Sequence, residues 1–422
     1  MPGKTIAEKI FSRAAGRDVF PLERVWLDVD LAVVRDFGGP NVVLEYDQQF
    51  GNACPAHPDK IAMTFDYQAP AKVTKVAENQ RICREFAAKH NVESVYDVQN
   101  GIGQHVLLEQ GRVLPGEVIV GTDSHMNLLG AVNAFATGCG TTDLTAAWKT
   151  GKLWFKCPPT LKIIVNGSFD SPTSAKDMTL FLMNKIGADI ANYRAVEFHG
   201  EAIDNLDLAG RLTLASHMTE LNIKIPFFSH SPSVHSWLEE RAGRKIEPIE
   251  ADADAAYEGV LEYTVEGLRP VVAAPHYPTN VLPAGAEGIV GQKINSGFIG
   301  SCSNGRIEDF REGAEILKKA GGKVHPDVRL IVTPSTREVA LQMLHEGLYD
   351  IYMKAGAMVT NPGCSLCTIG HHGVLAKGDV LISTSNRNFE GKLGRGADIY
   401  LGSPAVVAAS SAKGVIIDPS TL

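Results

Sequence analysis

The sequence has no uninterrupted apolar run approaching the roughly eighteen residues of a membrane span, so no transmembrane helix is expected. Its opening stretch, "MPGKTIAEKIFSRAAG", lacks the apolar h-region of a signal peptide. Basic residues are not in excess. Forty Lys and Arg stand against 48 Asp and Glu, for a net charge of −8, which argues against a nucleic-acid surface with its basic stripe. A small anionic substrate remains compatible, because a few local arginines suffice for it. Low-complexity segments and short internal repeats are absent. Cysteine is sparse: seven residues, an odd number, irregularly spaced. That excludes a secreted disulfide framework and points to a reducing, cytoplasmic setting, where thiols serve packing, metal binding or catalysis.

What is present is the composition of a globular enzyme, 44% hydrophobic and 21% charged, with 41 glycines suited to tight turns. A chain of 422 residues is too long for one ordinary core and implies two or three domains. Short apolar strands alternate with helical stretches. Ile6, Ile10, Phe11 and Ala14 recur at helical spacing. "EVIVGTDSH" reads as a strand over Glu117–Val120 ending in a polar loop. "NSGFIGSCSNGRIEDFREGAEILKKAG" reads as a strand near Gly297–Ile299, a small-residue loop and a helix over about Ile307–Ala320. "VRLIVTPSTREVALQMLHEGL" repeats the plan, with a strand at Arg329–Val332 and a helix opening near Ser335, and "DVLISTSNRNFEG" is a further strand and polar loop. Such alternation predicts parallel sheets covered by helices, with ligands at the carboxyl ends of the strands. Pro-, Gly- and Ser-rich stretches at Val165–Asp177 and Pro275–Gly288 mark weak boundaries.

Three cysteines stand out. "NPGCSLC" places Cys364 and Cys367 as C-x-x-C behind an Asn-Pro-Gly turn, and "GSCSNGR" places Cys302 in a strand-to-helix loop. Four thiolates close a structural zinc site or an ordinary iron–sulfur cluster. Three on a four-iron cubane leave one iron for a substrate hydroxyl and carboxylate, as a Lewis acid. A redox C-x-x-C, or a zinc site completed by His371 or His372, fits the same spacing. Cys54, Cys83, Cys139 and Cys157 read as buried or incidental thiols.

In order along the chain, "VIVGTDSH", "GSCSNGRIEDF", "NPGCSLC" followed by "GHHGVLAKGD", "STSNRNFEGKLG" and "YLGSPAVVAASSAKGVI" together resemble the aconitase superfamily, in particular its isopropylmalate isomerase and homoaconitase branch. The resemblance runs over essentially the whole chain. It implies an α/β fold of three α/β/α domains with mainly parallel sheets around a central cluster cleft, divided as 1–166, 167–288 and 289–422. It implies that Cys302, Cys364 and Cys367 hold a [4Fe–4S] cluster with one iron lacking a cysteine. The implied activity is that of the large subunit of a hydro-lyase acting on a small hydroxy di- or tricarboxylate. A separate small subunit would supply the swivelling domain. An iron-sensing, RNA-binding relative without catalysis is the alternative of another class.

The same resemblance assigns residues. Arg387 matches a substrate-carboxylate arginine, for which bidentate pairing is the physical reason, and Asn386 matches a cluster-side asparagine. Asp123, Ser124 and His125 match a catalytic segment, with Glu220 at the position of the glutamate that orients the histidine. Four further site positions depart from the family. Asp66 is kept, but Tyr67 stands where a histidine is expected. Gln104 replaces another histidine, with His105 one residue late. Arg35 replaces a His or Gln, and Lys392 replaces an arginine. The helix carrying Glu220, "ASHMTELNIK", lacks the family's Gly-Ala continuation. Phenol and amide do not titrate like imidazole near neutrality, and Arg35 adds a cation for a further carboxylate or phosphate. These changes suggest an altered acid–base set and a related dehydratase substrate, malate-type or phosphate-bearing.

Overall fold

A computed structural model describes residues 3–368 and 371–422. The chain forms two compact units. The first is made of Met1–Asn166, Ala188–Leu208 and Leu221–Tyr263, and the second of Gly167–Gly187, Ala209–Glu220 and Thr264–Leu422. Among the described residues no helix is long and apolar enough to cross a membrane.

In the first unit the strands are, along the chain, β1 (Arg24–Asp28), β2 (Leu31–Arg35), β3 (Ile61–Thr64), β4 (Ser94–Tyr96), β5 (Val118–Gly121), β6 (Phe135–Gly138), β7 (Lys152–Lys156), β8 (Thr160–Asn166), β9 (Ala195–His199), β10 (Ile225–Phe228) and β11 (Gly259–Thr264). A five-stranded sheet in the order β4-β3-β2-β5-β6 is parallel throughout. Its strands β2, β3 and β5 are buried end to end, which is why they read as continuous apolar runs rather than as alternations. β1 and β7 pair antiparallel with one face buried, and their residues alternate accordingly. The four-stranded sheet has the order β10-β9-β8-β11.

The expected N-terminal helix is Ile6–Ala15. Thr5 and Glu8 close a capping box at its start, and Gly16 ends it in the left-handed conformation at φ 66°. Ile6, Ile10, Phe11 and Ala14 are its buried stripe, and Phe11 meets Phe135 edge-on with ring centroids 4.9 Å apart.

The second unit holds a seven-stranded sheet built from β12 (Val271–Ala273), β13 (Val281–Pro283), β14 (Ser296–Ile299), β15 (Arg329–Val332), β16 (Met358–Val359), β17 (Val380–Ser383) and β18 (Asp398–Gly402). Its order is β13-β12-β18-β17-β14-β15-β16. β18, β17, β14, β15 and β16 run parallel, and β12 turns the edge antiparallel. The strand expected at Gly297–Ile299 and the helix expected to Ala320 are Ser296–Ile299 and Ile307–Lys319. The helix expected to open near Ser335 is Arg337–His345, capped by the Thr336 hydroxyl. Packing is tight where Ile307–Lys319 crosses its neighbours: a Cβ on Gly313 would lie 2.5 Å from the Tyr352 hydroxyl. That hydroxyl donates to Phe310 O at 2.8 Å.

Phe11→Ala removes a fully buried ring from the N-terminal helix. The expected loss is about 3–5 kcal/mol for the first unit. A denaturant titration followed by tryptophan fluorescence measures it, since Trp26, Trp148 and Trp154 all belong to that unit.

Candidate functional site

In the first unit the polar side chains gather at the carboxyl ends of β2, β3 and β5, where a parallel sheet opens to ligands. Arg35 is the last residue of β2. Its Nη2 lies 2.7 Å from Asp66 Oδ1, beyond β3, and its Nη1 donates to Asp123 Oδ2, beyond β5. Arg35 N donates to Thr122 Oγ1 at 3.0 Å, and Asp66 Oδ2 accepts from Gly103 N at 3.0 Å. A Cβ on Gly103 would lie 2.5 Å from Thr64 Oγ1, so only glycine lets the backbone come this close. Arg35, Asp66, Gln104 and Asp123 line a small pocket together with Val33, Thr64, Gly103, Thr122 and Met126.

Asp36, fully buried, braces this floor. Its Oδ1 accepts from Asp66 N at 3.2 Å and Tyr67 N at 3.0 Å, and its Oδ2 accepts from Gln80 Nε2 at 2.8 Å. Burial pushes the Asp66 carboxyl up to about 6. The Arg35 guanidinium opposes the rise, the carboxylates of Asp36 and Asp123 add to it, and the Gly103 N–H opposes it. His125 is buried and donates its backbone N–H to Asp123 Oδ1 at 2.7 Å, with its ring Nδ1 3.7 Å from the same oxygen. Tyr67 does not line the pocket; its ring packs on Phe37, centroids 4.8 Å apart. Ser124 is exposed. Arg35, expected from the sequence to meet a substrate anion, is engaged by two carboxylates of its own chain.

In the second unit the loops after β14, β16 and β17 carry the other candidates. Cys302 follows β14; beyond β16, Cys364 precedes a short 3-10 turn, Ser365–Cys367, and Cys367 ends it. Cys302 and Cys364 are buried, and Cys367 is partly exposed. Asn386 follows β17; its Oδ1 accepts from Cys302 Sγ at 3.9 Å, and its Nδ2 is buried with no acceptor among the described residues. The next residue, Arg387, donates from Nε to both oxygens of Glu220 at 2.8 and 2.9 Å. Lys392 is buried and donates to Arg387 O at 2.9 Å. Burial pushes its ammonium down, while the charges of Cys367 and Glu220 hold it up.

Two residues beside this group were not singled out in the sequence. Lys176, fully buried, donates from Nζ to Thr384 O at 2.7 Å and Ser385 O at 3.1 Å, and lies 2.8 Å from His217 Nε2. Burial pushes Lys176 down to about 7 against the charges of Asp309, Cys302, Cys367 and Asp177. In "SPTSAKDM" a lysine in the first turn of a helix reads as solvated, and only tertiary packing buries it. The one local signal is its neighbour Asp177, which caps that helix start from Oδ2 to Ser174 N at 2.9 Å.

An aspartate whose folded pKa lies above its unfolded value binds more protons in the folded state. Its contribution therefore falls as pH rises, here across the window from about 4 to about 6. Asp66→Asn cannot ionise, so the variant gains stability relative to the parent across that window. Chemical denaturation of both proteins at about pH 4 and pH 7 measures the difference.

A model of the aconitase family (aconitate hydratase) matches residues 9–414. Among curated relatives, the chain is 43% identical over 419 residues to the 3-isopropylmalate dehydratase large subunit 1 of Methanopyrus kandleri, covering 99% of each chain. It is 43% identical to the 3-isopropylmalate dehydratase large subunit of a Hydrogenobaculum species, over 99% of this chain and 98% of the relative. To the corresponding protein of Aquifex aeolicus it is 40% identical, over 99% and 97%. Among solved structures, aconitase X of Thermococcus kodakaraensis in its holo-form superposes with a TM-score of 0.52 at 13% identity, covering 86% of this chain and 84% of that one. That likeness bears on the fold. The family match over nearly the whole length and the relatives at 40–43% identity lead to one conclusion: this chain belongs to the aconitase family.

Proposed function

We propose that this chain is the large subunit of a [4Fe–4S] hydro-lyase, of the 3-isopropylmalate dehydratase type, completed by a separate small subunit. Its substrate is a small hydroxy di- or tricarboxylate from which water is lost, or to which it is re-added. Family membership and the names of the relatives support the reaction class. The three-domain division at 166/167 and 288/289 is part of the same proposal, beside the two compact units.

The observation that carries the reading is the donor set of Cys302, Cys364 and Cys367 with the Asn386 amide. Three thiolates with a buried, unpartnered N–H beside one of them suit a cluster whose inorganic sulfides accept hydrogen bonds. Among the described residues no three His, Cys, Asp or Glu side chains converge as the ligands of a single metal ion. A cluster does not ask them to, since each thiolate takes its own iron. When bound, such a cluster supplies a Lewis acid for the substrate hydroxyl at the iron that lacks a cysteine.

The chain's own residues then take the following roles. Arg387 holds a substrate carboxylate, and Glu220, on its Nε, fixes the plane of the guanidinium. Lys392 ties down the Arg387 backbone. In the first unit Asp66, with a carboxyl near 6, is placed to exchange a proton around neutral pH. Asp123 holds His125 by its backbone N–H. Gln104 lines the same pocket as a hydrogen-bonding group that does not titrate, Tyr67 supplies a phenol outside its lining, and Ser124 is exposed for contact with substrate.

One observation favours a substrate other than 3-isopropylmalate. Gln104 lines the pocket beside Asp66 with an amide that hydrogen-bonds but does not titrate, while Arg35 is already engaged by Asp66 and Asp123. A site built to pair a particular polar group strongly rejects an analogue lacking it.

Two experiments test these points. Cys302→Ser, Cys364→Ser and Cys367→Ser are each expected to lose most of the iron and sulfide bound after anaerobic reconstitution, because each removes one of three protein ligands. Full retention in all three variants removes the ligand assignment. A panel of hydroxy di- and tricarboxylates, assayed with the chain and its cognate small subunit, is expected to rank another substrate above 3-isopropylmalate in kcat/KM. If 3-isopropylmalate ranks first, the substrate departure is wrong while the reaction class stands.

A further inference from the structure

The hydrogen bonds of Lys176 and His217 fix how many protons the pair carries. His217 Nδ1 lies 2.9 Å from Thr213 O, a carbonyl that can only accept, and the Ser216 hydroxyl, 3.3 Å from Nδ1, gives its own hydrogen to that carbonyl at 3.0 Å, so Nδ1 carries a hydrogen. Lys176 Nζ lies within hydrogen-bond distance of two further carbonyls, Thr384 O and Ser385 O, so two of its hydrogens are used there. The remaining contact, Nζ to Nε2 at 2.8 Å, brings two nitrogen lone pairs together unless a hydrogen lies between them. Placed on Nζ, that hydrogen makes an ammonium beside a neutral imidazole; placed on Nε2, it makes an amine beside an imidazolium. Either way the pair holds one positive charge, with both side chains fully buried.

A buried cation is costly without a counter-charge. Two buried carboxylates, Asp309 and Asp177, lie within electrostatic reach of the pair, each held by neutral N–H groups that leave its charge in place. Asp177 accepts from Ser174 N and Val271 N at 2.9 Å each, and Asp309 from Arg306 N at 2.9 Å and Asn304 Nδ2 at 2.8 Å. The sulfurs of Cys302 and Cys367, anionic once they hold a cluster, also lie within electrostatic reach of Lys176. The pair is also tied to the loops that carry the donor set. Thr384 O accepts from Ser303 Oγ at 2.8 Å as well as from Lys176, and Ser385 precedes Asn386. Ser303 O accepts from Thr213 Oγ1 at 2.7 Å, which joins the His217 helix to the Cys302 loop.

We propose that the Lys176–His217 pair is the built-in counter-cation of the cluster held by Cys302, Cys364 and Cys367, and that it raises the cluster's reduction potential. The inference rests on the cluster reading above. A dipositive four-iron core with three thiolates is a net anion of one charge, opposite in sign to the pair. Adding an electron makes the cluster more negative, so a fixed neighbouring cation favours the reduced form.

The test uses the full chain, reconstituted anaerobically with ferrous iron and sulfide and titrated with dithionite through mediators, with visible absorption and electron paramagnetic resonance as readouts. Lys176→Gln keeps N–H donors for the two carbonyls and removes the charge. Lys176→Met serves as the uncharged variant if the glutamine protein does not fold. The expected result is a midpoint lower by about 59 mV, a tenfold change in the one-electron equilibrium. Lys176→Arg is expected to stay within a small fraction of that shift. If the parent chain binds no iron and sulfide, the cluster reading fails and the inference with it. If parent and uncharged variant bind equal clusters with the same midpoint, the counter-cation is refuted while the cluster reading stands. An arginine variant shifted as far as the glutamine one assigns the effect to packing and overturns the proposal.

Discussion

The hydroxyl of Thr384 makes two hydrogen bonds on which the second unit's loops depend. It accepts from Gly300 N at 3.0 Å and donates to Gly300 O at 2.9 Å. β14 and β17 are parallel neighbours, and each ends with backbone groups that the ladder no longer pairs. The Thr384 hydroxyl pairs both backbone groups of Gly300, the residue just beyond β14. The residues just beyond it are Cys302 on one side and Asn386 on the other, and so the sulfur and the amide come to lie 3.9 Å apart. The Gly300 backbone has φ +153°, and a Cβ there would lie 2.7 Å from Thr333 O. The glycine before the Cys302 loop is thus required by the close approach of the next strand end.

The first unit meets the same problem with charge rather than hydroxyls. Three strand ends bring Arg35, Asp66 and Asp123 together, with Asp36 beneath. One guanidinium answers two carboxylates directly, and backbone N–H groups and the Gln80 amide answer the third. Such a network tolerates little piecemeal change, because removing one partner strands the others in a low-dielectric setting. Arg387 and Glu220 form a milder version, partly exposed, in which the carboxylate sets the plane of an arginine rather than compensating deep burial.

Much of this was legible in the sequence for a simple reason. Strand–loop–helix alternation puts polar residues at the carboxyl ends of parallel strands, so "GTDSH", "GSCSNGR" and "STSNRNF" could be placed there before any contact was known. The N-terminal helix was legible from four apolar residues and their spacing. What could not be read were pairings across long separations. Arg35 meets Asp123 from 88 residues away and Glu220 meets Arg387 from 167. No local pattern says that a strand-terminal arginine will be consumed by its own chain, or that Glu220 will face an arginine. Lys176 was invisible for the complementary reason: its immediate sequence describes the exposed start of a helix, and burial comes from residues more than 200 positions on.

The way the chain is shared between its two units carries a consequence for how it is made. The first unit closes only with Leu221–Tyr263, while Gly167–Gly187 and Ala209–Glu220 wait for a sheet that begins at Val271. At a synthesis rate of about 5–20 residues per second, Lys176 emerges from the ribosome on the order of ten seconds or more before the carbonyls of Thr384 and Ser385. A lysine destined for full burial therefore spends that interval in water, and the helix that carries it has no home. Neither half of this protein can be cut out as a continuous piece of chain, and a nascent chain halted anywhere before Tyr263 leaves both units unfinished.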